Sequence, residues 1–517
     1  MENNFLDTLL SYLNISSEQY EELIKPQTLD TFSLGHSFKG IEKAKDIVNN
    51  AIKNKKRILI YGDFDADGIM ATSIMVKMFK KLNYEVSYYI PSRYIDGYGL
   101  TIEKAEKCIN KFDLVIPVDN GIVANEAIDI LKKNNIEVVV IDHHEPQLPL
   151  PNADAIVHPF VSNYGEITTS AGFCAFMFSK EILGYYDKYL ATLAAISVVS
   201  DMMPLKEYNR NLLRAVFSDY KYGEFPQITF LAESPTFDEI VIGQTIAPKI
   251  NSVGRIKEDK SVNLLVKYFV SDDSNEILTY SDYFNNVNIE RKELSKKYSE
   301  DLLKQLGNDS LVFILEVKTG MAGIIANNLV TRLKKPIIVF AKIDDKTLKG
   351  SARSVEGFNI VEAFNELDKY IIQAGGHALA GGCEILVKDF ENFKKDFEKL
   401  VNSKEIIIPE DKSIKFSINN INKEYHDIYR SLSPFGTGWE APNLKIEKIK
   451  TSSLTYSKTN EHILKQIGYS SKIVGFNISK NSLKDISYID IYGTLSSSTY
   501  KGNRTYQFNI NKYKSSN

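Results

Sequence analysis

Cysteine is nearly absent from this sequence. There are three in 517 residues, Cys108, Cys174 and Cys383, an odd number set far apart. That count excludes a disulfide framework and a clustered thiolate metal site, and it suits a reducing compartment. Long apolar runs are missing as well: no stretch approaches the roughly 20 residues needed to cross a bilayer. Met1 to Asn14 carries no basic residue ahead of its short apolar stretch, which makes it a poor secretory signal. The expectation is a soluble, cytoplasmic protein with no membrane partner. Internal repeats and low-complexity segments are lacking too. What is there, 43% hydrophobic and 25% charged residues with 15 Pro and 28 Gly, is the composition of a folded globular chain. The length calls for two to four domains.

The formal net charge of −3 conceals an asymmetry. Asp411 to Asn517 holds 16 Lys and Arg against 8 Asp and Glu, a surplus of eight positive charges. The remaining chain is therefore at −11. A basic C-terminal segment on an acidic body points to a polyanionic partner.

The first third alternates apolar runs with helix-patterned stretches. Arg57–Tyr61 reads as a strand, followed by a helix over Ile69–Leu82. Leu114–Val118 is followed by a helix over Ala124–Asn134, and Val138–Ile141 is a third strand. Continuous apolar runs between helices indicate a parallel sheet covered on both faces. Such sheets bind ligands at the carboxyl ends of their strands. Each of these three runs leads into aspartate. From Asp272 to Gly307 the chain is charged and free of Gly and Pro until its end, which predicts a long connecting helix. A second α/β unit follows, with strands at Leu311–Val317 and Pro336–Ala341 and a helix at Ile324–Leu333. Glycine-rich turns are expected at Gly375, Gly376, Gly381 and Gly382, and a closing helix at Phe390–Val401. Beyond about Asp411, short alternating strands such as Tyr488–Tyr492 and Thr505–Ile510 predict a small antiparallel barrel.

The chemistry sits in four acidic clusters. The first is Tyr61-Gly62-Asp63-Phe64-Asp65-Ala66-Asp67-Gly68. Its spacing imitates an EF-hand loop, but Ile74 stands where that loop needs a bidentate Glu, and a strand rather than a helix precedes it. The others are Val118-Asp119-Asn120-Gly121, Ile141-Asp142-His143-His144-Glu145, and Asp201 after an apolar helix running from Leu190. Taken singly, an Asp at a strand end is more often a helix cap. Taken together, hard oxygen ligands with one or two imidazoles suit Mn²⁺ or Mg²⁺. Two such ions about 3.5–4 Å apart can generate hydroxide and clamp the attacking and leaving oxygens of a phosphoester.

These motifs, in this order, resemble those of the DHH phosphoesterase superfamily, whose triplet stands here as Asp142-His143-His144. Further matches resemble the RecJ-type single-strand-specific exonucleases. They are Pro91-Ser92-Arg93 leading to Gly97-Tyr98-Gly99, Asn251-Ser252-Val253-Gly254-Arg255, Gly350-Ser351-Ala352-Arg353-Ser354, Gly375-Gly376-His377 and Pro434-Phe435-Gly436. The similarity runs from about Lys39 to the end. It implies an α/β fold with an N-terminal arm (1–50), a parallel-sheet DHH catalytic domain (51–271), a connecting helix (272–307), a DHH-associated substrate-binding domain (308–405) and an OB-like nucleic-acid-binding barrel (406–517). It also implies that Asp65, Asp67, Asp119, His143 and Asp201 hold two divalent cations, with Asp119 bridging them. Asp63 and Asp142 would be further ligands or would orient the ligands, and His144 would face the scissile phosphate. Many superfamily members carry a metal-binding His where this chain has Tyr61.

For phosphate or nucleic acid, the resemblance points to Arg93, Asn251, Arg255, Ser351, Arg353, Gly375, Gly376 and His377. Arg grips phosphate bidentately, Ser351 and Arg353 fall on one face of a strand, and glycines can offer bare N–H groups to an anion. The basic segment from Asp411 carries 14 aromatics, among them Trp439, Tyr456, Tyr492, Tyr500, Tyr506 and Phe508. Lys472, Lys480, Lys484 and Lys501 lie among them. Aromatic platforms in a basic groove hold single strands without reading sequence, although most aromatics of a small strand-rich fold form its core. The implied activity is a 5′→3′ exonuclease on single-stranded DNA, acting as a monomer in DNA repair and recombination, with a helicase or single-strand-binding protein as partner. The alternatives are a phosphodiesterase of short oligonucleotides or cyclic dinucleotides, which would not need the basic barrel, and a non-catalytic scaffold, which would not need an intact set of aspartates.

Overall fold

The computed structural model describes residues 5–33, 40–97, 99–161, 168–257, 260–306, 310–404, 412–500 and 503–516. Its first sheet is parallel throughout. The strands β1 (Ile58–Tyr61), β2 (Ser87–Tyr89), β3 (Leu114–Pro117), β4 (Glu137–Ile141) and β5 (Ala155–Val157) lie in the order β2-β1-β3-β4-β5. Alternate residues serve opposite faces. Ile58, Ile60, Leu114, Ile116, Val139 and Ile141 pack into the main core, whereas Leu59, Tyr61, Val115, Val138 and Val140 form a separate apolar cluster with Ala105, Ala127, Ile128 and Leu131. Burial on both sides is why these strands read as unbroken apolar runs.

The helix Ala66–Lys81 begins three residues before its apolar pattern does. Asp65 caps it, its Oδ1 accepting from the Asp67 and Gly68 amides at 2.9 and 3.1 Å. The helices Ala171–Leu183 and Lys188–Ser200 pack against it, buried from Ala171 to Ser179 and from Tyr189 to Val198. Among the described residues, no helix is long and apolar enough to cross a membrane. All three cysteines are buried and unpaired.

A 33-residue helix, Ser274–Leu306, leads to the second sheet. There β6 (Val312–Leu315) and β7 (Ile337–Lys342) are parallel, and β8 (Thr347–Arg353), β10 (Ala380–Leu386) and β9 (Ile371–His377) extend the sheet antiparallel. The four glycines expected in turns lie instead in paired strands, with Gly376 opposite Gly381 and Gly375 opposite Gly382; only Ala378 and Leu379 make the turn. Residues without side chains give no alternation, so the cue that marks a strand was missing. Glycine is needed at 376, where φ is +138° and a Cβ would lie 2.5 Å from the Ala380 carbonyl.

The C-terminal sheet has six strands, β11 (Ile414–Lys415), β12 (Leu444–Lys450), β13 (Ile463–Gly468), β14 (Ser471–Gly475), β15 (Tyr488–Tyr500) and β16 (Asn503–Ser515), in the order β11-β12-β15-β16-β14-β13. It is not purely antiparallel as expected, since β11 runs parallel to β12 and β14 to β16. Alternation locates a strand without fixing its partner's direction. The core of this domain also takes in Leu9 and Leu10 from the helix Phe5–Leu13. The beginning of the described chain thus packs on its end, with the Phe5 ring 5.5 Å from Phe416 and 5.1 Å from Tyr425.

Candidate metal and phosphate site

Three strand ends and one helix end deliver the carboxylates. Asp63 follows β1, Asp119 follows β3, Asp142 follows β4, and Asp201 caps the C-terminus of Lys188–Ser200. The first loop folds back so tightly that a Cβ at Gly68 would stand 2.6 Å from the Asp63 carbonyl. Asp119 takes φ +61° as the chain leaves the sheet, a backbone state that costs a non-glycine residue about 1–2 kcal/mol.

The side chains converge into three overlapping groups whose ligand atoms lie within 4.8 Å of one another. They are Asp63, Asp65 and Asp119; Asp119, His143 and His144; and Asp67, His143 and Asp201. Asp119 and His143 each belong to two groups. The His143 Nε2 lies 3.3 Å from Asp119 Oδ1, 3.5 Å from Asp201 Oδ2 and 3.6 Å from Asp67 Oδ2.

So many buried acids push one another's proton affinity up. Burial, then the Asp65 charge, raises Asp63 to about 8. Burial, then Asp67 and Asp65, raises Asp201 to about 8. Asp119 is driven well above the carboxylate range by burial and by Asp67, Asp65, Asp63 and Asp142. Asp63 Oδ1, Asp119 Oδ1 and Asp201 Oδ2 are buried without a hydrogen-bond partner. Buried carboxylate oxygens left unpaired in this way, beside a nitrogen ligand, fit hard divalent cations.

Asp142 differs. Its Oδ1 accepts from the His143 and His144 amides and pairs with His144 Nδ1 at 2.8 Å, while its Oδ2 accepts from the Ile122 amide. With both oxygens engaged it falls outside the three ligand groups, and its contacts suit orientation of the histidines. Burial works to lower the His144 imidazole, but the hydrogen bond and charge of Asp142, with Asp67 and Asp201, hold it at about 9. Asp67 is anchored as well, receiving the Ala171 and Gly172 amides and the Ser197 hydroxyl. The Tyr61 hydroxyl is buried and donates to the Gly99 carbonyl at 3.1 Å, so it is engaged away from the three ligand groups.

Sequence reasoning missed His158, which follows β5. Its Nδ1 accepts from the Phe160 amide, so its Nε2 is left to donate to the His144 carbonyl at 2.7 Å, holding the triplet in place. The one available signal was a His closing a fifth apolar run.

A second cluster is basic. Arg93 lies over the Phe64 ring at 4.3 Å, and its charge is felt by Asp63 and Asp65. Burial lowers Arg255 to about 10, and Arg93, Arg291 and Arg353 all add to the shift. The second domain closes on this cluster. Arg255 Nη1 donates to the Gly320 carbonyl, a Cβ at Gly323 would meet Ser351 and Arg353, and Arg353 Nη1 lies 3.4 Å from Ser351 Oγ. Arg291, on the connecting helix, was not foreseen. Nothing in a charged helix marks which arginine turns inward. Asn251 accepts from the Ala66 amide through its Oδ1, which braces the first acidic loop. Gly375, Gly376 and His377 are exposed on β9, and Tyr98 lies outside the described residues.

The comparisons agree with this architecture. Residues 57–199 match the DHH family N-terminal domain, 308–403 the DHHA1 domain and 413–512 the RecJ OB domain. The chain is 30% identical over 401 residues to the single-stranded-DNA-specific exonuclease RecJ of Salmonella typhimurium, covering 70% of this chain and 69% of that one. This chain belongs to the RecJ family. It is also 31% identical to the Bacillus subtilis member, of which it spans 54%. Among solved structures, RecJ from Thermus thermophilus in complex with Mn²⁺ superposes with a TM-score of 0.80 at 22% identity, over 99% of this chain and 76% of that one. A RecJ bound to manganese gives 0.61 at 27% identity, over 72% and 96%. Family members thus hold divalent cations on this fold.

The family's C-terminal motif has a structural part here. Arg210 donates to the carbonyls of Leu432, Ser433 and Pro434 and lies 4.9 Å from the centre of the Trp439 ring, while Arg430 pairs with buried Glu239. Of the aromatics named from the sequence, Trp439 serves this interface and Tyr492, Tyr506 and Phe508 are buried. Among the described aromatics of this domain, Tyr469, Phe476 and Tyr488 are the exposed ones, and the Tyr500 side chain lies outside the described residues.

Proposed function

We propose that this protein is a metal-dependent 5′→3′ exonuclease that hydrolyses single-stranded DNA to mononucleotides in DNA repair and recombination. The observation that carries this reading is the adjoining pair of clusters, unpaired buried carboxylate oxygens beside half-buried arginines. Asp63, Asp65, Asp67, Asp119, His143 and Asp201 would hold two divalent cations, Mn²⁺ foremost and Mg²⁺ as a substitute, and these would supply Lewis acidity and a nucleophilic hydroxide. Asp142 fixes the His144 ring, and the protonated imidazole donates toward the phosphate. Arg93, Arg255, Arg291 and Arg353, with Ser351, receive the terminal phosphate and neutralise its charge. The C-terminal sheet, fastened through Arg210 and Arg430, leads the strand to the site. Its presence speaks against a phosphodiesterase of very short oligonucleotides. The protein would act as a monomer, with a helicase or single-strand-binding protein supplying its substrate.

The test is an assay with Mn²⁺ on end-labelled DNA in 5′-phosphorylated, 5′-blocked and duplex forms. Progressive release of mononucleotides from a free 5′ end, with duplex spared, is the expected result. Cleavage confined to di- to tetranucleotides would replace this reading with the small-substrate one.

A further inference from the structure

Met202 stands next to Asp201 in a backbone state that favours glycine. The helix Lys188–Ser200 ends with two reversed hydrogen bonds, from the Met202 amide to the Val199 carbonyl (3.2 Å) and from the Met203 amide to the Val198 carbonyl (3.0 Å). This is the Schellman arrangement, and it places Met202 in the left-handed region, at φ +55°. Glycine or asparagine ordinarily occupies that position, because a Cβ there crowds the backbone. This chain puts a long apolar side chain there and leaves it 71% exposed. Neither local conformation nor core packing accounts for that choice.

Its position does. The Asp201 carboxylate before it reaches within 3.5 Å of His143 Nε2, in the metal-ligating cluster. Three residues after it, the Leu205 amide donates to the Thr437 carbonyl of the C-terminal domain at 2.8 Å. The chain thus spans from the acidic cluster to the OB-like domain between residues 201 and 205, and Met202 lies on that span. A second exposed apolar side chain, Val123, follows the Asp119 loop.

We propose that Met202 is a substrate-contacting residue, its thioether chain packing against the base of the nucleotide at the cleaved bond. The inference rests on the nuclease reading above. An unbranched, polarisable side chain makes such a contact with any base, as a sequence-independent enzyme requires.

The test compares the full-length wild type with Met202→Gly and Met202→Leu, in Mn²⁺, on 5′-phosphorylated oligonucleotides that are intact or abasic at the first nucleotide. Glycine suits the backbone at this position, so Met202→Gly should melt no lower than the wild type. It should nevertheless lose about tenfold in kcat/KM on intact DNA, the scale of one apolar contact, mainly through KM. Met202→Leu should recover most of that loss. On the abasic substrate, wild type and Met202→Gly should converge. Equal kinetics for wild type and Met202→Gly on intact DNA would overturn the assignment while leaving the nuclease reading in place. A loss of equal size on both substrates would also overturn it. A wild type that cuts no single-stranded DNA would remove the nuclease reading, and this inference with it.

Discussion

Asp63, Asp119 and Asp201 in the first domain, and Arg93, Arg255, Arg291 and Arg353 where the first domain meets the second, both crowd like charges out of water. The acids answer by holding protons: Asp63 and Asp201 are raised to about 8, and Asp119 further still. The arginines have less room to answer. Arg255 is lowered to about 10, so at neutral pH the group keeps its charge. One cluster can therefore be discharged by protons or by cations, and the other only by an anion. On the proposed function, a cluster of fixed positive charge beside a titratable acidic one would separate holding a phosphate from cutting it.

The largest effect that would sharpen this contrast comes from Asp119→Ala, which removes the residue shared by two ligand groups. Hydrolysis of single-stranded DNA should fall about a thousandfold or more, while oligonucleotide affinity in a binding assay stays near the wild-type value. Substantial residual turnover would break the division of labour.

Removing one arginine should do the reverse. In Arg291→Ala, binding of a 5′-phosphorylated oligonucleotide should weaken by about tenfold, the scale of one charge-assisted hydrogen bond. A 5′-hydroxyl oligonucleotide should be affected much less. Equal losses on both would place Arg291 outside the phosphate pocket.

The acidic cluster also predicts how cation binding depends on pH. A carboxylate whose folded-state pKa is raised gives stability that is complete below its unfolded pKa and is lost as pH rises through the folded value, here about 8 for Asp63 and Asp201. The metal-free protein should therefore lose stability across that window. Cations compete with those protons, so the rise in melting temperature on adding Mn²⁺ should be larger at about pH 8.5 than at about pH 5.5, on either side of that value. At hundredfold excess over Kd the stabilisation is about 2.7 kcal/mol. An equal shift at both pH values would contradict the shared proton load.

The smallest effect concerns His144. Asp142→Asn removes the negative charge that helps hold its imidazole at about 9. Deprotonation should then begin at lower pH, and the alkaline limb of the pH–rate profile should move toward acid. An unmoved limb would assign that limb to another group.

The acidic half of the site was legible because each ligand belongs to a short motif at the end of an apolar run. Strand, turn and carboxylate are contiguous there, and the parallel sheet brings the ends together. The basic half was legible only in pieces. Arg93, Arg255 and Arg353 were named from three separate motifs, but Arg291 looks like any charge on a solvated helix. That the Asn251 amide oxygen accepts from the Ala66 backbone was not legible either, because the two residues are distant in the chain. The Gly375 and Gly376 strand was taken for a turn because glycine leaves no periodic trace.

By itself, the sequence determined the alternation of strand and helix in the first domain, its parallel sheet, the acidic clusters at the strand ends and the basic character of the last domain, since these follow from local pattern and charge. Tertiary structure alone decided which arginines meet, which face of the connecting helix turns inward, and that Leu9 and Leu10 complete the core of a domain at the far end of the chain. It also decided that Trp439 packs on Arg210 where the first and last domains meet, and that Met202 stands where glycine would serve the backbone better. Those outcomes depend on contacts between residues distant in the chain, and no local signal carries information about a partner that folding alone supplies.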